Sequence, residues 1–269
     1  MRRFTLYGGR FAGLFFGLSQ ACCTAACLSP MLAAQTGIEQ NVWQEFSENG
    51  KRLVHEQGVL PFLVLTGYVS CDVGTLSLRG STTQGFRNYS GVSNTGTSLS
   101  TQSTVSNSEL VLSYAYAINP QFEPFFSFGT SRSTRDIHSA GLVLGYPEDF
   151  RMYPAQIGFR WRPVFFDNRL TLSAYGGGAL RPQVKVSLPG RDVLTLDLGH
   201  VSKAGLSAEL ELGALATGQF VLVSQLDRTH IAQGAARTVT RNGVPTGVAN
   251  QPHSLLTQAQ MSIVWRKSL

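Results

Sequence analysis

Residues 109–138, ELVLSYAYAINPQFEPFFSFGTSRSTRDIH, alternate large apolar or aromatic side chains with small or polar ones along two arms. Asn119-Pro120 interrupts the alternation, because Pro cannot donate to a strand ladder and Asn tolerates turn geometry. One face of the arms carries Leu110, Leu112, Tyr114, Tyr116, Phe122, Phe126 and Phe128. A two-residue period on both sides of a turn predicts a β-hairpin with one apolar face.

Residues 1–34 have the composition of a secretory signal peptide. Three arginines precede the apolar run FAGLFFGL, and small residues follow as far as Ala34. The run is shorter than the ~20 residues that a transmembrane helix needs. The sequence therefore predicts cleavage after Ala34 and one mature domain over residues 35–269. Acylation at Cys27 is the alternative, although the preceding TAA differs from the usual lipoprotein pattern by a Thr in place of a Leu.

Removing this leader takes three of 22 basic residues and none of 16 acidic ones, which leaves a net charge of +3. So small an excess, with no basic run interleaved with aromatics, argues against a nucleic-acid partner. Cys71 would be the only cysteine of the mature chain, so neither a disulfide nor a cysteine metal site is expected. No later segment is long and apolar enough for a membrane helix, so any span must consist of strands.

The mature chain predicts strands joined alternately by short turns and long loops. The turns lie near Asp72, Asn119, Asn168 and Gly218, and the loops near Asn88, Gly145, Arg191 and Gly243. This asymmetry is typical of a membrane β-barrel with periplasmic turns and extracellular loops. Nine strands follow from residue 53 onward; because the number should be even, residues 42–48 supply a first strand and make ten. Eight strands is the alternative. The middle of residues 80–107 is predicted to be a mobile surface loop, and its ends are predicted to belong to the flanking strands.

Charged residues fall on the strand faces opposite the apolar ones. A soluble β-sandwich, the alternative fold, would have to bury them at a cost of several kcal/mol each unless paired. In a membrane barrel they would line the lumen, where near-equal numbers of both signs favour cross-lumen ion pairs and a plugged pore. The predicted lumen network consists of Arg79, Glu109, Arg160, Arg162, Arg181, Glu209 and Glu211.

Aromatic residues near the turn ends of the strands predict a periplasmic girdle formed by Tyr114, Tyr116, Phe122, Trp161 and Trp265. With the end strand QAQMSIVW, these alternating strands make residues 41–269 resemble the small outer-membrane β-barrel proteins of Gram-negative bacteria. The chain departs from their pattern by continuing with RKSL after its last aromatic residue.

The resemblance implies an all-β fold, a closed antiparallel transmembrane barrel placed in the Gram-negative outer membrane after leader cleavage. It also implies contacts with outer-membrane lipid and lipopolysaccharide, insertion by the barrel assembly machinery, and a possible extracellular ligand at the loops. The expected role is structural, adhesive or weakly pore-forming.

A hydrolase is the alternative function. Ten strands are shared with the omptin proteases, which carry an Asp-His pair and an Asp pair at the outer rim. Asp136 and His138 have the spacing of the first pair, but the sequence has no Asp-x-Asp, and Asp227 and His230 fall on opposite faces of a strand. No local motif assembles a lipid A-modifying site either. We therefore predict no enzyme activity, no catalytic residues, no metal and no cofactor.

The loop pattern makes a topological prediction. Single cysteines placed near the loop centres should be labelled on intact cells by a membrane-impermeant reagent, whereas cysteines at the short turns should not. The loop sites are Asn88, Gly145, Arg191 and Gly243, and the turn controls are Asp72 and Asn168, all in a background without Cys71. Labelling of the turn sites alone would mean the opposite orientation.

Overall fold

The computed structural model describes residues 30–71, 74–92, 97–167, 169–215 and 218–269 of the chain. These residues form strands almost throughout, with one short 3-10 turn at Val164–Phe166. The strands are β1 (Met31–Phe46), β2 (Arg52–Cys71), β3 (Gly74–Val92), β4 (Ser98–Ala115), β5 (Phe122–Ile137), β6 (Tyr146–Trp161), β7 (Leu170–Val186), β8 (Leu194–Asp197), β9 (Val201–Leu215), β10 (Gly218–Ile231), β11 (Arg237–Arg241), β12 (Val244–Ala249) and β13 (His253–Ser268).

Ten of these strands form one closed antiparallel barrel. The order around it is β6-β5-β4-β3-β2-β1-β13-β10-β9-β7, and β7 pairs with β6 to complete the circle. β1 joins β13 along its whole length, from Met31 opposite Ser268 to Phe46 opposite His253. The prediction of a ten-stranded, all-β antiparallel barrel is therefore confirmed. No helix in the described part of the chain is long and apolar enough to cross a membrane.

The side chains alternate between the two surfaces of the barrel wall. Outward positions expose large apolar residues, among them Ile38, Leu63, Leu65, Phe126, Phe128, Ile157, Phe159, Leu210, Met261 and Ile263. Inward positions on the same strands are mostly buried and include many polar or charged residues. An apolar exterior around a polar interior is the arrangement that lipid requires of a membrane barrel.

The two ends of the barrel differ. β1 begins and β13 ends at the inner end of the barrel. The strands are joined there by short segments, residues 72–73, 116–121, 162–169 and 216–217. At the outer end the connections include residues 138–145, 187–200 and the stretch 232–252. By the usual topology of membrane barrels, the inner end corresponds to the periplasm and the outer end to the cell exterior.

Two sequence predictions about strand boundaries are wrong. The first strand covers Met31–Phe46 rather than residues 42–48, so the expected cleavage point after Ala34 falls inside β1; residues 1–29 lie outside the described chain. The loop centre predicted near Asn88 is also misplaced: β3 continues to Val92 and β4 begins at Ser98, so Asn88 lies within β3 and the flanking strands take up more of residues 80–107 than expected. Apart from Phe86 and Val92, the outward residues there are polar, which hid the alternation, while inward residues such as Arg87, Tyr89 and Ser103 are buried.

Cys71 lies at the inner end of β2 and is disulfide-bonded in the full chain. The expected absence of a disulfide concerns the mature chain after leader cleavage, and it stays a prediction. That expectation assumed that the other cysteines leave with the leader. Those three, Cys22, Cys23 and Cys27, lie outside the described residues.

The two longest outer connections pack together into what we call the outer head, residues 187–200 and 232–252. β11 and β12 form a hairpin that turns at Asn242-Gly243, where both residues have positive φ, as a tight hairpin turn requires. Asp192 accepts hydrogen bonds from the Thr240 hydroxyl at 2.6 Å and from the N–H groups of Asn242 and Gly243. These donors, the Thr240 hydroxyl first, lower the pKa of Asp192, so its carboxylate stays ionised and holds the two connections together.

Gly158 on β6 and Gly176 on β7 make a matched test of packing in the wall. A Cβ on Gly158 would lie 2.5 Å from the Ala174 carbonyl oxygen and 2.7 Å from Phe125 Cζ, whereas a Cβ on Gly176 would meet nothing closer than 3.7 Å. We expect Gly158→Ala to lower the free energy of unfolding by about 1–3 kcal/mol, because the backbone must shift. Gly176→Ala should leave it nearly unchanged.

The comparison is made by the temperature at which the folded gel band converts to the unfolded one. Equal conversion temperatures for the two variants would contradict the close packing at Gly158.

Candidate functional site: the sealed outer end of the lumen

Arg135 stands at the centre of a buried ionic cluster in the outer part of the lumen. It lies near the end of β5, on the inward face that also carries Ser131 and Ser133. Its guanidinium contacts Glu45 of β1 at 2.7 Å, Glu148 of β6 at 2.7 Å and Glu56 of β2 at 3.2 Å. All four side chains are almost completely buried.

Neighbouring strands add further polar contacts to this cluster. Arg87 of β3 lies 3.4 Å from Glu56, and the Ser103 hydroxyl of β4 donates to the same carboxylate at 2.8 Å. The Trp43 indole N–H of β1 donates to Glu45 at 2.8 Å, and the Arg135 guanidinium sits 5.1 Å from the centre of the Trp43 ring. The cluster therefore links six consecutive strands, β1 to β6, across the lumen.

The ionic cluster depends on every member. Desolvating charges costs several kcal/mol per ion, which only close pairing and hydrogen bonds can offset. Here three carboxylates surround two guanidinium groups, and Arg135 alone contacts all three. Its loss would leave Glu45 and Glu148 buried without a cation.

An apolar layer covers the cluster on its outer side. On the lumen-facing sides of β2, β3 and β5, an apolar residue follows each charged one, two positions nearer the outer end of the barrel. These residues are Val54 after Glu56, Tyr89 after Arg87 and Ile137 after Arg135. The opposite side of the lumen is filled by Val184, Val186, Leu196, Leu198, Val201 and Ile231. Trp43 and Phe150 join the two sides edge to face, with ring centres 5.6 Å apart. We call the ionic cluster and this layer together the outer seal.

Below the outer seal the lumen holds a small cavity of about 160 Å³, lined by both polar and apolar side chains. Glu39 borders it as a buried carboxylate that accepts hydrogen bonds from the side-chain amides of Asn41, Gln258 and Gln260. On the other wall, Asp227 accepts from Tyr175 and from Gln225 and lies 3.7 Å from Lys203. These groups fill the middle of the barrel with hydrogen-bonded side chains.

The predicted lumen residues are distributed among several separate pairs. Arg79 lies 3.5 Å from Glu109. Arg160 and Arg162 both pair with Glu123, at 2.6 and 3.1 Å, and Glu209 pairs with Arg266; neither Glu123 nor Arg266 was predicted. Glu211 forms no salt bridge within the described chain, although its carbonyl oxygen accepts from Arg169 at 2.8 Å.

Arg181 does not belong to the lumen network, which corrects the prediction. The pairing of β6 with β7 shifts between Arg151 and Tyr153, which changes which residues of β7 face inward. Tyr175 faces inward below the shift, whereas Val184 and Val186 face inward above it. Arg181 lies within the irregular stretch with φ 46° and is exposed. Sequence periodicity assumes a regular strand and cannot locate such a bulge.

Sequence reasoning missed the charged residues of the outer seal. Glu45, Glu56, Arg87, Arg135 and Glu148 all lie near the outer ends of their strands. A signal was present, because Arg135 continues the period of Ser131 and Ser133, and Arg87 has the same parity as Arg79. The strands continue beyond the last apolar residue on their lipid-facing side, so apolar alternation alone places the strand ends too early.

The predicted girdle residues lie at the inner end of the barrel. Tyr114 is opposite Phe126, Phe122 is opposite Trp161, and Trp265 lies between Ala34 and Phe220. Tyr116 follows directly after β4 and is exposed. These outward aromatic side chains form a partial ring near the short connections.

The candidate catalytic residues do not meet in a site. Asp136 and His138 point away from the lumen; the His138 ring is 2.9 Å from the Thr104 hydroxyl and edge-on to Phe86. Asp227 is buried inside the barrel, whereas His230 packs outside against His253, with ring centres 4.4 Å apart. In the described ranges no group of three or more His, Cys, Asp and Glu could hold a metal ion.

Solved structures with a similar architecture are membrane barrels. The outer membrane protease OmpT of Escherichia coli aligns over 91% of this chain and 98% of its own, with a TM-score of 0.52 and 11% identity. The chain has the fold of an outer-membrane β-barrel. The NalP translocator domain of Neisseria meningitidis aligns less closely, over 94% of both chains, with 12% identity and a TM-score of 0.43. Ail of Yersinia pestis aligns over 89% of this chain and 100% of its own, with 12% identity and a TM-score of 0.36. Comparison of the sequence with family models and with curated proteins finds no match.

Arg135 offers a direct test of the outer seal. Arg135→Met should lower the free energy of unfolding by about 3–5 kcal/mol, because it leaves buried carboxylates without their cation. Arg160→Met is the matched control, since Arg160 is partly exposed and Glu123 keeps Arg162 as a partner. Urea midpoints of the barrel in lipid vesicles measure both. Equal stability of Arg135→Met and wild type would show that the cluster is not tightly coupled.

Proposed function

We propose that this protein is a sealed outer-membrane barrel that anchors and displays its outer head, rather than a channel or an enzyme. The observation that carries the proposal is the outer seal, which places an ionic and an apolar layer across the lumen. A permeant solute would have to break the contacts of Arg135 and then pass between Trp43 and Phe150. Neither layer contains a ring of charges of one sign that would favour ion passage.

The outer head supports the display role. It is held as one unit by the bonds of Asp192 to Thr240, Asn242 and Gly243, and by the 2.5 Å contact of Arg237 with Asp197. Val193, Val244 and Val248 are well exposed on it. Ordered loops on a rigid scaffold are the usual location of binding function, so an adhesive role for the head fits this arrangement.

A rim hydrolase is less well supported. Catalysis needs a nucleophile and a base within hydrogen-bond reach of one another and of a substrate. His138 faces outward beside Thr104, and Asp227 lies inside the barrel while His230 lies outside it. Because of this placement, we expect His138→Ala and His230→Ala to change no activity of the purified protein.

Planar bilayers test the sealed lumen. The wild-type protein should produce no conductance steps, whereas Trp43→Ala together with Phe150→Ala should produce them. The double change removes the edge-to-face pair across the lumen and also the contacts of Trp43 with Glu45 and Arg135 in the ionic cluster. Trp161→Ala, on the outward face at the inner end, is the control and should remain silent.

Heat-modifiable gel mobility confirms that each variant is folded before its conductance is recorded. Wild-type steps comparable to those of a general porin would rule the proposal out. Recovery of the protein in the outer-membrane fraction, with N-terminal sequencing to locate leader cleavage, tests the proposed location separately.

A further inference from the structure

Glu39 is a buried carboxylate in the middle of the lumen, and its hydrogen-bond partners within the described chain are neutral amides. It is 1% exposed and accepts hydrogen bonds from the side chains of Asn41, of Gln258 at 2.9 Å and of Gln260 at 2.6 Å. None of the salt bridges among the described residues involves Glu39. An ionised carboxylate is costly to bury unless a positive charge lies close to it, so this position favours a bound cation.

Two of these amides carry a buried oxygen atom that lacks a partner. Asn41 Oδ1 and Gln260 Oε1 have no hydrogen-bond partner within the part of the chain that the structure describes, and Asn41 is completely buried. The nitrogen of each amide donates to Glu39, and the oxygen is bonded to the same carbon as that nitrogen, so both oxygens lie near the carboxylate. Buried acceptors in proteins are normally satisfied, and these two have the chemistry of ligands for a hard cation.

The lumen cavity below the outer seal provides space beside these oxygens. Glu39, Gln258 and Gln260 all line it, and its volume of about 160 Å³ is several times what one water molecule requires. Arg79 lines the same cavity and its side chain is 33% exposed, so solvent reaches this part of the lumen. The cavity can therefore admit an ion together with part of its hydration shell.

The charges around the cavity and the ionic cluster do not balance. Two acidic residues have a cation of their own, because Glu109 pairs with Arg79 at 3.5 Å and Asp227 lies 3.7 Å from Lys203. The other buried charges of this region are four carboxylates and two guanidinium groups: Glu39, Glu45, Glu56, Glu148, Arg87 and Arg135. Four negative and two positive charges leave an excess of two negative charges, which a divalent cation would neutralise.

We propose that Glu39, Asn41 and Gln260 bind a calcium ion in the lumen, with water in the cavity completing its ligands. Ca²⁺ accepts carboxylate and amide oxygens in a flexible arrangement, whereas Mg²⁺ demands near-ideal octahedral geometry and gives up its water reluctantly. Most of the protein ligands are amide oxygens, which distinguishes this site from a cluster of His, Cys, Asp and Glu.

The calcium site lies on the two strands that close the barrel. Glu39 and Asn41 belong to β1 and Gln260 belongs to β13, where Glu39 and Gln260 are directly opposite one another. The bound ion therefore connects the first strand of the barrel to the last one. Because the ligands come together only in the closed wall, calcium should stabilise the folded barrel over the unfolded chain.

The test measures calcium binding by equilibrium dialysis to the full-length barrel, refolded without lipid in a nonionic detergent and freed of metal by a chelator. Excess sodium chloride screens weakly held surface ions. The wild type should bind one Ca²⁺ with a Kd on the order of 10⁻⁴–10⁻³ M, and Glu39→Gln should raise the Kd at least about tenfold, because the charged ligand is lost. Glu209→Gln is the matched control, since Glu209 is paired with Arg266, and it should bind like the wild type.

A second variant adds charge to the site instead of removing it. Asn41→Asp places another carboxylate beside Glu39, so it should bind Ca²⁺ more tightly than the wild type. The temperature of heat modification should then differ more between calcium and chelator for Asn41→Asp than for the wild type, and should not differ for Glu39→Gln. Gel mobility shows in the same experiment that each variant is folded.

Three results would overturn the inference. These are a wild-type barrel that takes up no Ca²⁺, equal binding by folded Glu39→Gln and wild type, and displacement of Ca²⁺ by an equal concentration of Mg²⁺. Conductance does not enter these measurements, so a failure of the calcium site is distinguishable from a failure of the sealed-lumen proposal.

Discussion

The barrel depends on the requirement that every strand has a partner on both sides. In lipid no water can satisfy an open sheet edge, so a membrane-spanning sheet must close. The pairing of β1 with β13, from Met31–Ser268 to Phe46–His253, meets this requirement, together with the β6–β7 pairing. Closure fixes which face of each strand meets lipid and which faces the lumen, and all further features follow from that division.

Within the closed wall, the charged residues are arranged in two different ways. In the outer part of the lumen, Arg135 contacts three carboxylates in a buried cluster, and an apolar layer covers this cluster. Nearer the inner end, Arg160, Arg162 and Arg266 form smaller, partly exposed pairs. The buried cluster ties six strands together, whereas the pairs nearer the inner end keep some exposure to solvent, which screens them.

The outer surface combines a rigid head with a charged patch. Asp192 and Asp197 join the two long connections into one unit above the barrel, and Arg132 and Arg151 lie lower, on the outward wall. These features lie on the outside of the barrel, whereas the outer seal lies in its lumen.

The sequence by itself determined the fold class, the number of strands and the outward apolar face, because a two-residue period and alternating turn lengths are local properties. It also predicted that Arg79 and Glu109, on neighbouring strands, both face the lumen. Only the tertiary structure decided which charges meet, since Arg135 joins residues 45, 56 and 148 through the curvature of the barrel. Likewise, the bulge in β6–β7 that excludes Arg181 from the lumen depends on pairing between strands, which periodicity within one strand cannot encode.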